Sequence, residues 1–154
     1  MKIAFITPFP PYRGGISKHS ENLYNEITKT TELKVYNFTK QYPNLLFPGQ
    51  KQYVNSSSFK NNFNVERTIN SINPFSWKKT AKLIIRDSYN HVIFRYWNPF
   101  FAPCYISIIN YLRKKNKNIK IFSICDNIIP HENYLLQKFV TKKFIEKLDG
   151  VIVM

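Results

Sequence analysis

The chain opens with a strand-like apolar run that leads directly into a glycine-containing turn and then into an amphipathic helix. The run covers Lys2–Thr7, a proline-rich turn closes with Gly14 and Gly15, and apolar residues recur at helical spacing from Ile16 onward. In parallel α/β domains, a strand, a glycine loop and a helix in this order present backbone N–H groups to a phosphate. Glycines also let the backbone approach a ligand closely, because they lack a Cβ atom. The opening therefore predicts a parallel α/β domain with an anion site at its first turn.

Strand and helix patterns alternate along the rest of the chain. The residue pair Asn73-Pro74 is typical of a helix start, since Asn caps well and Pro suits the first helical position. Five strands alternating with four helices predict an α/β fold with a doubly wound, mostly parallel, Rossmann-like sheet. In the last helix, Leu135, Phe139 and Leu148 are expected to face inward. The strand patterns cover 2–7, 33–38, 91–97, 119–125 and 150–153, and the helical patterns cover 16–30, 132–148 and the residues that follow Pro74 and Pro103.

One long stretch, from about residue 40 to 71, shows no periodicity. It is rich in Asn and Ser and contains Pro43, Pro48 and Gly49. A segment of this length without regular structure is typical of a functional or disordered loop. We therefore expect a single domain over residues 1–154 with an irregular insertion at about 40–71.

Three loops follow predicted parallel strands and carry groups that suit a ligand. They contain Gly15, Asn98 and Asp126, and ligands of doubly wound sheets bind outside the carboxyl ends of the strands. We therefore expect the three loops to meet at one edge of the sheet. Their amides, polar side chains and the ring of Trp97 suit a hydroxyl-rich ligand beside a phosphate.

A large excess of basic residues narrows the choice of partners. Lys and Arg number 23 against 9 Asp and Glu, which gives a net charge of +14 and favours nucleic acid, anionic lipid or phosphorylated substrates. No helix-turn-helix, zinc-finger or RNP-like pattern is found, so nucleic acid is not the expected partner. Lysines 138, 142, 143 and 147, with Arg113–Lys115, favour peripheral contact with an anionic membrane.

The cysteines and the hydropathy pattern indicate a location. Cys104 and Cys125 match no metal or redox spacing, so we expect two buried thiols in a reducing cytoplasm and no metal site. No signal peptide fits the first residues, and no apolar run approaches the ~18 residues of a membrane span. A cytoplasmic location, including the inner face of the membrane, is expected.

Three segments, in this order, resemble the amino-terminal half of group 1, family-four-like glycosyltransferases of the GT-B fold. They are Pro10–Ile16, Arg95–Pro103 and Ile124–Glu132, and Asp149–Val153 resembles the next strand of that family. The resemblance implies two Rossmann-like halves that face a cleft, the first holding the acceptor and the second the nucleotide-sugar donor. Residues 1–154 correspond to the acceptor side. The paired-glutamate motif of the donor side has no match, so the chain alone is expected to be inactive.

The resemblance also implies an activity and roles for individual residues. The activity is retaining transfer of a sugar from a nucleotide-sugar to an envelope, glycan or lipid-linked acceptor, with no other cofactor. Relatives often carry His at the positions of Asn98 and Asp126. Asp126 is the candidate catalytic residue. The candidates near the donor diphosphate are Gly14, Gly15 and Ile16, and the candidates for acceptor binding are Arg95, Trp97, Asn98, Asn127, His131 and Glu132.

Several of these residues also have structural interpretations. Gly14 and Gly15 could form an ordinary turn, Arg95 a salt bridge, and Trp97 part of the core. The pair His131-Glu132 could begin a helix, and His19 could be packed or capped. The alternative function is a basic module that binds nucleic acid or a membrane surface without catalysis.

Overall fold

The computed structural model describes residues 1–43, 63–126 and 135–154. These residues contain six strands, four α-helices and a short 3₁₀ turn at Pro99–Phe101. The strands are β1 Lys2–Ile6, β2 Glu32–Lys40, β3 Val65–Asn70, β4 His91–Tyr96, β5 Lys120–Cys125 and β6 Gly150–Val153. The helices are α1 Gly15–Ile27, α2 Pro74–Arg86, α3 Ala102–Lys115 and α4 Leu135–Ile145.

The six strands form one sheet in which every neighbouring pair is parallel. Its order is β3-β2-β1-β4-β5-β6. Side chains alternate across this sheet: Ile3 and Phe5 pack in one core cluster with Tyr24 of α1, whereas Ala4 and Ile6 pack in the other, with α2, α3 and α4. Helices therefore cover both faces, and the doubly wound, Rossmann-like α/β fold is confirmed.

The strand order contains one reversal of direction. The chain adds β2 and β3 on one side of β1, and then returns to place β4 on the other side, followed by β5 and β6. The junction between β1 and β4 is a topological switch point, where the connections leave in opposite directions and open a crevice. This crevice lies next to the loop that contains Gly14 and Gly15.

Local signals locate α2 and α3 correctly. The Asn73 side chain accepts a hydrogen bond from the Phe75 amide at 3.0 Å, with Pro74 in the first turn. In α3, Cys104 and the residues spaced four apart from it, at 108 and 112, are buried. The free thiols of Cys104 and Cys125 are also buried as predicted. Within the described ranges, no helix has the length and apolarity needed to cross a bilayer.

The prediction of an irregular segment over 40–71 is wrong at its end, where β3 adds a sixth strand. This strand has the sequence VERTIN, and only Thr68 and Ile69 are buried. Its polar side chains are used in contacts with β2: Glu66 pairs with Lys34 at 2.8 Å, and Arg67 Nε donates to the Phe38 carbonyl at 2.9 Å. Residues 44–62 lie outside the described part of the chain.

The prediction for the inward face of the last helix is wrong for two of its three residues. Leu135 is 85% exposed and Phe139 is 57% exposed, although Leu148 does pack against the core. The buried residues of α4 are Thr141 and Phe144. The reason lies in β4, where the Tyr96 hydroxyl makes a 2.7 Å hydrogen bond with Thr141 and the Tyr96 ring stacks on Phe144.

Candidate functional site at the carboxyl edge

The three loops predicted to share a site follow strands that end at the same edge of the sheet. Ile6 of β1 lies beside Phe94 of β4, and Tyr96 lies beside Cys125 of β5. The Asp126 amide continues this ladder by donating to the Tyr96 carbonyl at 2.9 Å. The prediction that Gly15, Asn98 and Asp126 belong to one edge is therefore confirmed.

The turn after β1 is held by buried polar side chains on both sides. Thr7 Oγ1 and Ser20 Oγ of α1 lie 2.6 Å apart. Asn37 of β2 binds Phe9 twice: its Oδ1 accepts from the Phe9 amide at 3.2 Å, and its Nδ2 donates to the Phe9 carbonyl at 2.8 Å. Because these groups are buried and paired, they fix the path of the backbone toward Gly14.

The two glycines of this loop differ in what the fold requires of them. Gly14 precedes α1 with φ of 120°, a conformation that disfavours any residue with a Cβ, and no side chain caps the helix there. Gly15 has no such φ and is the first residue of α1. A Cβ added at either position would meet no described atom within 4 Å. The fold thus requires glycine at 14 but not at 15.

A buried ion pair joins the ends of β4 and β5. Arg95 is only 2% exposed, and its Nε donates to Asp126 Oδ2 at 2.7 Å while its Nη2 donates to Asp126 Oδ1. Both carboxylate oxygens therefore face the guanidinium in a two-point contact. The Asp126 side chain remains 20% exposed, so it lies at the surface end of the pair.

The same guanidinium also reaches α1. Arg95 Nη1 lies 2.7 Å from His19 Nδ1. Because a guanidinium has donors only, Nδ1 accepts and the ring carries its proton on Nε2. His19 is half-buried, and its Nε2–H is a further donor at this edge. Sequence reasoning did not place His19 in the site, because its partner Arg95 is 76 positions away.

Trp97 and Asn98 have structural roles in this loop. The Trp97 indole donates to the Tyr42 hydroxyl at 3.1 Å, and its ring packs 4.3 Å from that of Phe101. Asn98 Oδ1 accepts from the Phe100 amide at 2.9 Å and caps the 3₁₀ turn, so part of the predicted loop that contains Asn98 is helical. Acceptor binding by Arg95, Trp97 and Asn98 stays a prediction.

The remaining candidates divide into residues near the loop and residues outside the described part. Ile16 is half-buried in the first turn of α1. Asn127, His131 and Glu132 lie outside the described residues.

The thiols and the acidic groups are the other side chains that could take part in chemistry. Burial raises the pKa of the Cys104 and Cys125 thiols, so neither is an activated nucleophile. In the described ranges, no three His, Cys, Asp or Glu side chains are grouped to hold a metal ion. The groups available to a ligand at this edge are the amides of the first turn of α1, the His19 imidazole and the Asp126 carboxylate, whose charge Arg95 neutralises.

Comparison with known proteins yields no family model and no curated protein that matches the chain. The switch point and the groups at the carboxyl edge are the features of the molecule that bear on its function.

Proposed function

We propose that this chain is the acceptor-side half of a retaining glycosyltransferase of the GT-B kind. In this proposal the loop of Gly14 and Gly15 approaches the diphosphate of a nucleotide-sugar, and Asp126 accepts a hydrogen bond from a sugar hydroxyl. The resemblance of three segments to that family supports the proposal, and so does the position of Pro10–Ile16 and Arg95–Pro103 at the switch point of the sheet.

Gly15 is the observation that carries the proposal. Neither the backbone angle nor the packing requires glycine at this first helical position, where an alanine side chain would fit. A glycine that the fold does not need, at a helix start beside a switch point, is explained by a ligand that approaches the backbone. The amides of the first turn of α1 lack a side-chain cap and suit a phosphate.

The pairing of Arg95 with Asp126 makes a carboxylate compatible with a diphosphate at this edge. An isolated Asp126 would repel phosphate charge, whereas the paired side chains together carry no net charge. Each carboxylate oxygen has lone pairs beyond the one that the guanidinium occupies. Asp126 can therefore orient a hydroxyl group while Arg95 cancels its charge.

His19 adds a donor to this arrangement. With its Nδ1 held by Arg95, the ring can donate only through Nε2. An N–H donor next to the amides of α1 favours an anionic oxygen of the ligand over a cation. In this proposal the glycine loop and His19 bind the phosphate, and Asp126 binds the sugar hydroxyl.

The test uses a pair of glycine variants with opposite expected effects. We expect Gly15→Ala to keep or raise the melting temperature, because alanine favours the helix, while it weakens binding of the nucleotide-sugar at least tenfold. Gly150→Ala is the control: its Cβ would lie 3.1 Å from the Phe122 ring, so it should lower the melting temperature and leave binding unchanged. Amide shifts in NMR titrations with UDP-glucose and GDP-mannose measure binding.

Two results would overturn the proposal. One is equal affinity of Gly15→Ala and the wild type. The other is the absence of amide shifts at Gly14, Gly15 and Ile16 with both nucleotide-sugars at millimolar concentration.

A further inference from the structure

An open cleft lies between α2 and α3 on the helical layer of the molecule. It encloses about 720 Å³, within the range of about 300–1,000 Å³ found for small-molecule sites. On the α2 side it is lined by Pro74, Lys78 and Lys82, which are spaced four residues apart and therefore share one face of the helix. The buried face of the same helix, with Ala81 and Ile84, packs on the sheet.

The opposite wall of the cleft is a polar stripe of α3. Ser107, Asn110, Tyr111 and Lys114 follow a spacing of three, four and seven residues, and Lys115 adds a second charge beside Lys114. The wall thus combines two ammonium groups with hydroxyl and amide groups. In the part of the chain that the structure describes, no acidic residue lines either wall.

The described residues of the protein do not compensate the charge of this cleft. Among the described residues, no acidic side chain forms an ion pair with the four lysines, whereas Lys29 pairs with Glu26 and Lys143 pairs with Glu146. Like charges spaced i, i+4, such as Lys78 and Lys82, destabilise a helix. An anion bound between the helices would remove this repulsion, so the cleft is complementary to a phosphate group.

Two exposed apolar side chains close in sequence to the lining residue Pro74 indicate the source of that phosphate. Phe75, next to the lining residue Pro74, is 85% exposed, and Ile72 is 49% exposed. Binding of a soluble phosphorylated metabolite would not explain why these two apolar side chains are exposed. Basic residues next to exposed aromatic and aliphatic side chains are typical of proteins that bind the interfacial region of a membrane.

We propose that the cleft between α2 and α3 binds the phosphate of an anionic phospholipid headgroup, while Phe75 and Ile72 insert into the membrane interface. The ammonium groups of Lys78, Lys82 and Lys114 surround the phosphate. Asn110 and Ser107 supply hydrogen bonds to hydroxyl groups of the headgroup. This site is separate from the carboxyl-edge site, and its test does not depend on the transferase proposal.

The proposed contact also fixes an orientation. β3 ends at Asn70 and α2 begins at Pro74, so Phe75 lies at the same edge of the sheet as Gly15 and Asp126. The cleft extends from Pro74 at this edge to Lys114 and Lys115 at the opposite edge, so a molecule held by Phe75 and the cleft would lie with its α2–α3 layer against the membrane. A lipid-linked substrate could then reach the edge without leaving the bilayer surface.

The experiment measures sedimentation of the protein with vesicles at 0.1 M NaCl. We expect vesicles of phosphatidylcholine with one third phosphatidylglycerol to bind the protein, and vesicles of phosphatidylcholine alone to bind it at least tenfold more weakly. The variant Lys78→Gln/Lys82→Gln should lose about 30-fold in affinity, the effect of removing two basic residues from an anionic surface. Phe75→Ala should lose several-fold.

The matched control is Lys2→Gln/Lys29→Gln, which removes the same charge from exposed residues away from the cleft. It should lose less than threefold. An equal loss in the control would show that only net charge matters. Wild-type affinity of Phe75→Ala would exclude insertion, and tighter binding to single-stranded RNA than to vesicles of equal phosphate content would indicate a nucleic-acid site. Each of these results overturns the proposal.

Discussion

Arg95 carries a positive charge in the interior of the molecule and is held by side chains from different parts of the fold, Asp126, His19 and Met154. Asp126 follows β5, and His19 belongs to α1, so the guanidinium ties the crevice side of α1 to the end of β5. Burying a charge is tolerated only when it is paired and hydrogen-bonded. A ligand that moves His19 would therefore also shift Asp126, because the Arg95 side chain binds both residues.

The two members of this ion pair should differ in their effect on stability. Asp126→Ala leaves a guanidinium buried beside an imidazole, so we expect a loss of about 3 kcal/mol in the free energy of unfolding. Arg95→Met leaves a carboxylate that is already 20% exposed and can be hydrated, so its loss should be less than half as large. Urea denaturation measures both. A larger loss for Arg95→Met would show that the pair is not organised as described.

The site residues illustrate which part of a site can be predicted from sequence. Gly14 was identifiable because its role depends on local backbone conformation. Asp126 and the shared edge were identifiable because strand direction fixes where the loops lie. The contact between His19 and Arg95 could not be predicted from sequence, since no local sequence feature of either residue indicates a partner 76 positions away.

At the scale of elements, α4 shows how a neighbouring strand selects the buried face of a helix. Leu135 and Phe139 form an apolar pair at helical spacing, yet the helix buries Thr141 and Phe144. The phenol of Tyr96 lies in the core, and its hydroxyl is satisfied by Thr141. The rotation of α4 therefore follows from a buried polar group that the sequence of the helix does not reveal.

Truncation of the two phenylalanines of α4 tests this orientation. Phe144→Ala should reduce the free energy of unfolding by about 3–5 kcal/mol, because the ring is buried against Tyr96 and Tyr105. Phe139→Ala should change it by less than about 0.5 kcal/mol, as for other exposed positions. Thermal or urea unfolding of the two variants measures both changes in the free energy of unfolding. Similar effects at both positions would contradict the observed orientation.

Other elements were predictable because their signals are local. α2 begins where Asn73 and Pro74 indicate, since a cap and a first-turn proline act within a few residues. β3 was missed because its sequence lacks apolar alternation, and its polar side chains are satisfied by Lys34 and by carbonyls of β2. A strand of this kind is specified by its neighbour.

At the scale of the whole molecule, the net charge and an exposed sheet edge have opposite effects on self-association. β6 is at one end of the strand order, and Val151, Ile152 and Val153 are 37%, 58% and 64% exposed. Exposed apolar edge strands favour association, whereas a net charge of +14 keeps copies apart. Salt weakens only the second effect, because it shortens the Debye length from about 10 Å at 0.1 M to about 3 Å at 1 M.

We therefore expect self-association to increase with salt and to depend on β6. Light scattering should rise between 0.1 M and 1 M NaCl for the wild type, and Ile152→Lys should suppress the rise. Ile72→Lys adds the same charge at an exposed apolar residue away from this edge and should not suppress it. Equal suppression by both variants would mean that charge alone, and not the edge strand, controls association.

The parallel arrangement of the strands also gives the molecule an electrical polarity. Because α1, α2 and α3 each follow a strand that ends at the carboxyl edge, their positive dipole ends lie at that edge, and no acidic residue in their first turns cancels them. At the opposite edge, Arg113–Lys115 offset the negative end of α3. The aligned macrodipoles thus produce a field that draws anions toward the edge where Gly15 and Asp126 lie.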